Sequence, residues 1–208
     1  MIAGPNGAGK TTLTLRLRTA GFEFGEYINP DDIAGELTGS YESRVAMAQL
    51  IADRRRDSCI AERRSFSFET VMSHPSKLDV LVRAKAAGFF VQLFFVGTDD
   101  PETNIERVAL RVTKGGHDVP AGRIVARWKR TMGFLHQAIS TSDRAFIFDN
   151  SATRHGGPRL VLEIQPSEGC DWNIVRRSTP PAWVRHYVLA HARDKFDGGF
   201  AEAPGGQF

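Results

Sequence analysis

Met1–Thr12 reads MIAGPNGAGKTT, and this stretch decides the fold. Gly4, Gly9, Lys10 and Thr11 satisfy the spacing of glycine, four residues and Gly-Lys-Thr, and a helical pattern, KTTLTLRLRT, starts at once. Glycines let backbone N–H groups turn inward on a phosphate. The lysine reaches the β and γ phosphates, and the threonine hydroxyl serves a magnesium ion. Gly4, Pro5, Asn6, Gly7, Ala8, Gly9, Lys10, Thr11 and Thr12 are therefore assigned to a nucleotide, with Thr11 as the protein ligand of Mg2+. A strand normally runs into such a loop, yet only Met1, Ile2 and Ala3 precede it here.

Outward from the loop, strand and helix signals alternate, the pattern of an α/β domain with a mainly parallel sheet. The sequence predicts strands at YIN (residues 27–29), SFSFETV (65–71), FFVQLFFVGT (89–98), AFIFDN (145–150) and RLVLEIQ (159–165), the last antiparallel at an edge. Helices are expected from Pro30, over about Tyr41 to Arg64, over Ser76–Gly88 and from Pro101, with Asp99 or Asp100 as the cap of the last. The tail DGGFAEAPGGQF (197–208) reads as flexible.

The chain has 208 residues, 41% hydrophobic and 25% charged, so it can bury a sizeable core and is unlike a disordered chain. A net charge of +3, with basic residues dispersed, suits an anionic small ligand rather than nucleic acid. Cys59 and Cys170 are far apart and carry no zinc-type spacing, which reads as two buried or idle thiols. No stretch approaches a membrane span and no signal sequence opens the chain, so a cytoplasmic protein is expected.

Four further groups carry candidate chemistry. In YINPDDIAGEL, Asp31 and Asp32 follow a strand end, where a carboxylate can accept a proton from a substrate hydroxyl. Asn29 as N-cap and Pro30 as first helical residue also make them favourable first-turn charges, and the two roles are compatible. Glu69 closes SFSFETV on the polar side of the strand, either beside the ligand crevice or paired with an arginine. Arg107 and Arg111 share the face of PETNIERVALRV opposite Ile105, Val108, Ala109 and Val112, while Arg123, Arg127 and Arg130 share one face of GRIVARWKR. Like charges at that spacing repel by roughly 0.2 to 0.5 kcal/mol per pair, so they are either solvated or gathered for a polyanion. The loop TKGGHDVP (113–120) between them could act as a hinged cover, with His117 a turn histidine. Asp149 resembles the acid that ends a Walker B strand, but Asn150 follows where hydrolytic transporters carry Glu, and both read as strand-end caps.

Taken in order, IAGPNGAGKTT, YINPDDIA, FSFETVMS, GFFVQLFFVGTDDPETNIERVALRVTKGGHDVP, RIVARW and FIFDNS resemble the zeta toxin family of P-loop kinases, over about Ile2 to Ser151. The resemblance implies a three-layer P-loop kinase fold whose first strand is truncated here. It makes residues 1–165 the kinase domain and residues 166–208 a C-terminal extension. It implies ATP and Mg2+ at Lys10 and Thr11, Asp31 as catalytic base, and Glu69 with Thr70 as substrate-binding residues. Arg111 and Arg127 become the stabilisers of the moving phosphoryl group. The implied acceptor is a hydroxyl of a UDP-sugar such as UDP-N-acetylglucosamine, and the implied protein partner is an antitoxin. A nucleotide-dependent ATPase switch acting on a protein partner is the alternative. A polynucleotide kinase is disfavoured, since no basic channel with stacking aromatics is evident. In the resembling family several apolar residues precede the loop. The expectation is therefore that the natural chain starts upstream of Met1, or that this form is less stable than one extended by a few apolar residues.

Overall fold

The computed structural model describes residues 1–116, 118–152, 156–166 and 172–193, together with the backbone of 201–202. Eight strands form one sheet: β1 (Ile2–Ala3), β2 (Glu26–Ile28), β3 (Phe66–Thr70), β4 (Gln92–Gly97), β5 (Arg144–Asp149), β6 (Arg159–Pro166), β7 (Trp172–Arg176) and β8 (Ala201–Glu202). Their spatial order is β2-β3-β1-β4-β5-β6-β7-β8. The first five in that order run parallel, β6 and β7 turn antiparallel, and β8 lies parallel to β7.

β1 is as short as the sequence predicts and still holds the centre. Ile2 pairs with Glu69 of β3 and Phe94 of β4, and Ala3 with Thr70 and Phe95. Alternation along β4 feeds two cores: Leu93 and Phe95 face one side, Phe94 and Val96 the other. On the Phe94 side, α1 (Lys10–Thr19) contributes Leu13 and Leu17, and Phe22, Phe24, Phe146 and Phe148 complete the cluster. On the Phe95 side pack α2 (Pro30–Glu36), α3 (Tyr41–Ala61), α4 (Ser76–Ala86) and α6 (Ala121–Thr141), with Trp128, Met132, Leu135 and Ile139 of α6 buried. α5 (Pro101–Val112) lies against α6 and buries Asn104 and Val108. Helices on both faces of a mainly parallel sheet make the expected three-layer α/β architecture.

The helix starts follow their caps. Asn29 Oδ1 accepts from Asp31 N (3.1 Å) with Pro30 in the first turn, and Asp100 Oδ1, rather than Asp99, accepts from Thr103 N (2.8 Å) before Pro101. Two differences stand out. β6 is antiparallel as expected but is not at the edge, because β7 and then β8 pair outside it. The segment after β7 is helical too: α7 (Ala182–Val184), a π-helical turn (Arg185–Leu189) and α8 (Ala190–Arg193). Trp172, Trp183, Val184, Val188 and Leu189 join the main core, with Tyr187 edge-on to Trp128 (5.8 Å) and Trp172 stacked on His136 (4.9 Å). β6 itself runs across residue 165, and the tail expected to be flexible lies outside the described residues apart from β8.

Candidate active site

The loop from Gly4 to Gly9 is folded as only glycine permits at its two ends. Gly4 has φ +151, and a Cβ there would fall 2.1 Å from Val96 O, inside the sheet; Gly9, at φ +102, is the N-cap residue of α1. The loop's backbone is held from three elements. Asn104 of α5 donates from Nδ2 to Asn6 O (2.6 Å), and Asn150, after β5, donates from Nδ2 to Ala8 O (2.8 Å). Thr70 of β3 accepts from Gly4 N (3.3 Å). Arg127 of α6 adds a longer bond from Nη1 to Asn6 Oδ1 (3.4 Å).

Lys10 lies back over this loop, donating to Gly4 O (2.9 Å) and Pro5 O (3.0 Å). The ammonium thus sits where its own loop supplies the negative dipoles. Burial pushes its pKa down to about 8, opposed by Glu69 and Asp31 and assisted by Arg111 and Arg127. Charged residues of four elements thus bear on the charge of this amine. Thr11 and Thr12 are exposed in the first turn of α1, and Asp31 and Asp32 are exposed in the first turn of α2.

Glu69 is 8% exposed, yet its hydrogen-bond partners among the described residues are hydroxyls and not an arginine. Thr14 of α1 and Tyr27 of β2 (2.7 Å) both donate to Oε1. Burial and Glu69 push the Tyr27 phenol upward, which keeps it a donor. Next along β3, the Thr70 hydroxyl accepts from Met72 N (3.0 Å) and so fixes the turn that leaves the strand, where Met72 has φ +57.

The arginines divide by setting. Arg111, at the end of α5, is exposed, and Gly116 packs against its stem so closely that a Cβ would fall 2.6 Å from Arg111 Cγ. Arg127 is half-buried and held below its ordinary value by burial and by Arg123 and Arg130. Arg130 donates from Nε to Ser73 O (3.2 Å), and Arg123 is exposed. Arg107 is half-buried, and burial lowers its pKa against the opposing charges of Asp149 and Glu106. Asp149 is a strand-end cap: Oδ1 accepts from Ser151 N (3.2 Å), Ser151 Oγ (2.6 Å) and Trp183 Nε1 (2.9 Å). Cys59 is buried and its thiol is pushed up by burial and by Glu26, whose Oε2 it approaches to 3.4 Å. His117 and Cys170 lie outside the described residues.

Asn104, Asn150, Thr14, Tyr27 and Trp183 were not among the residues predicted to build the site. Asn150 carried a signal, standing directly after an apolar strand whose end faces the crevice. Asn104, Thr14 and Tyr27 are polar or aromatic residues inside ordinary helix and strand patterns, and Trp183 lies beyond the last predicted strand; they meet Asn6, Glu69 and Asp149 through contacts that no local pattern marks. No described helix is long and apolar enough to cross a membrane.

The profile of the zeta toxin family matches residues 1–152. An uncharacterised protein of Haemophilus influenzae is 30% identical over 118 residues, which is 55% of this chain and 80% of that protein. Among solved structures, the complex of AvrRxo1-ORF1 and -ORF2 with sulphate ions superposes with a TM-score of 0.64 at 16% identity, over 90% of this chain and 62% of the matched one. The same complex with ATP gives 0.60 at 17% identity, over 79% and 57%. This chain thus spans about three fifths of the length of those matched chains. The PezAT toxin–antitoxin system of Streptococcus pneumoniae gives 0.51 at 18% identity, over 78% and 70%. These likenesses carry the fold, and the profile match, covering well over half of the sequence, carries the family. With its phosphate loop opening a helix from a mainly parallel sheet, the chain belongs to the zeta toxin family.

Proposed function

We propose that this kinase transfers the γ phosphate of ATP to a hydroxyl of a UDP-sugar such as UDP-N-acetylglucosamine. One observation carries the reading: Lys10 donates to Gly4 O and Pro5 O of its own loop, Arg127 of α6 bonds to Asn6 of the same loop, and Glu69 of β3 is bonded by Thr14, whose hydroxyl also reaches Lys10 O. Phosphoryl transfer asks little covalent chemistry of a protein and much positive charge around the moving group, with a carboxylate for the acceptor's proton. Lys10 leaves Gly4 O and Pro5 O to take the β and γ phosphates. Arg111 and Arg127 close on the equatorial oxygens from the side of α5 and α6, and Asp31 accepts the hydroxyl proton.

Glu69 holds the acceptor through the carboxylate oxygen that Thr14 and Tyr27 leave open, with Thr70 setting the end of its strand. Mg2+ keeps several waters and needs only one or two protein groups beside the phosphates, so the exposed Thr11 hydroxyl fits it without a carboxylate cluster. When bound, the ion neutralises charge between the phosphates. The AvrRxo1 complex solved with ATP supports the choice of nucleotide, and the toxin–antitoxin character of PezAT supports an antitoxin as protein partner. ATP and a UDP-sugar together would make the cytoplasm the working compartment. Residues 1–165 would form the kinase unit, with 166–208 as its extension.

The test is to incubate the purified chain with ATP, Mg2+ and a panel of UDP-sugars and other metabolites, and to read phosphorylated products by mass spectrometry. A phosphorylated UDP-sugar is the expected result. ATP turnover with a blank panel contradicts it and favours a nucleotide-dependent switch.

A further inference from the structure

A protein that buries an acid most simply pairs it with an arginine or lysine, which satisfies the oxygens and cancels the charge. Glu69 is held differently. Two neutral hydroxyls, Thr14 Oγ1 and Tyr27 Oη, both donate to its Oε1. Lys10 is near enough for its charge to be felt, but its ammonium donates to Gly4 O and Pro5 O instead. Hydroxyls fix a carboxylate without cancelling it, so Oε2 keeps its negative charge for a donor from elsewhere.

Of the two hydroxyls, that of Tyr27 is the more firmly aimed. Tyr27 lies in β2 opposite Ser67 of β3, two residues before Glu69 and on the same face of the sheet. The Arg18 guanidinium stands 4.4 Å over its ring, and Phe24 meets the ring edge-on at 5.8 Å. Arg18 follows Thr14 by one turn of α1, so a single helix face supplies both the clamp on the tyrosine and the second hydroxyl. The Thr14 hydroxyl is shared with Lys10 O (3.1 Å). Burial and Glu69 push the phenol upward, so the Tyr27 hydroxyl keeps its proton and stays a donor.

We propose that Tyr27, with Thr14, is a positioning residue for the phosphoryl acceptor: it holds Glu69 in the rotamer from which Oε2 takes a hydroxyl or amide N–H of the acceptor. The assignment rests on reading Glu69 as the residue that binds the acceptor. Fixing a polar contact in advance spares the acceptor the cost of ordering it, and the gain falls on acceptor binding rather than on ATP.

The experiment measures, by calorimetry on the full chain, the affinity for ATP with Mg2+ and the affinity for UDP-N-acetylglucosamine with a non-hydrolysable ATP analogue bound. Tyr27→Phe, Glu69→Gln and the double variant are compared with the wild type. Tyr27→Phe is expected to weaken UDP-N-acetylglucosamine about tenfold and to leave ATP within about twofold. Once Glu69 is replaced, the tyrosine has nothing left to hold, so the double variant should lie within about twofold of Glu69→Gln alone. If Tyr27→Phe does not fold, Thr14→Val removes the other hydroxyl from Oε1 and is read in the same way, with Thr14→Ser expected to recover the affinity. Additive losses, equal losses for both ligands, or no loss for UDP-N-acetylglucosamine overturn the positioning role while the acceptor reading stands. A wild-type chain that binds ATP and no UDP-N-acetylglucosamine overturns the acceptor reading and the positioning role with it.

Discussion

Lys10 is the residue on which the account turns, because its charge is conditional. Burial brings its pKa to about 8, so the free protein loses the ammonium above that pH, whereas a bound phosphate stabilises it and binding takes up a proton. ATP affinity should therefore be level below about pH 8 and fall by up to about tenfold per pH unit above it. Titration calorimetry from pH 6.5 to 9.5 reads this directly, and Lys10→Arg, charged throughout, should give a shallower slope; a flat wild-type profile contradicts the assignment. The residues legible from sequence are those that a local rule fixes. Glycine and lysine spacing is imposed by the backbone path around a phosphate, and Asn29 and Asp100 by helix capping. Tyr27 and Thr14 were hidden because nothing local marks a tyrosine in a three-residue strand or a threonine in a helix as partners of Glu69.

Among the elements, the parallel strands declared themselves through apolar runs flanked by helices, while the C-terminal part did not. β7 has five residues with only Trp172 and Ile174 pointing inward, too short a pattern to separate from a loop. The helical segment 182–193 opens after two prolines with no side-chain cap on α7, so its start carries little signal. Its role is plain in three dimensions. Trp183 is 2% exposed, lies on Gly97 so closely that a Cβ would fall 2.8 Å from the ring, and bonds to Asp149. This one side chain joins the helical segment to the ends of β4 and β5. Trp183→Ala should cost about 3 to 5 kcal/mol in urea unfolding. Trp183→Phe, which keeps most of the packing and loses the bond to Asp149, should cost clearly less. Equal small losses for both would mean that the segment does not share the domain's core.

For the whole molecule, the short central strand has a consequence in stability. β1 pairs only with Glu69 and Thr70 of β3, so among the described residues Phe66 to Phe68 have β2 on one side and no strand on the other. A cavity of about 180 Å³ opens there, lined by six phenylalanines, among them Phe22, Phe66 and Phe94, and by the polar Glu23, Ser65, Ser67 and Gln92. Adding three apolar residues ahead of Met1, able to continue β1 alongside Phe66 to Phe68, should raise the melting temperature. An equal or lower melting temperature for the extended form contradicts this. The short strand was legible in the opening residues; the aromatic cavity beside it was not, because its lining comes from four separate turns and strands.

Phosphoryl transfer with Asp31 as the proton acceptor is the step on which the proposed function stands or falls. It is tested most directly by comparing the wild-type chain with Asp31→Asn for ATP binding and for phosphorylated product under the same conditions. The account predicts ATP affinity within about twofold and a product rate reduced at least about 10²-fold. Near wild-type transfer by Asp31→Asn would contradict it.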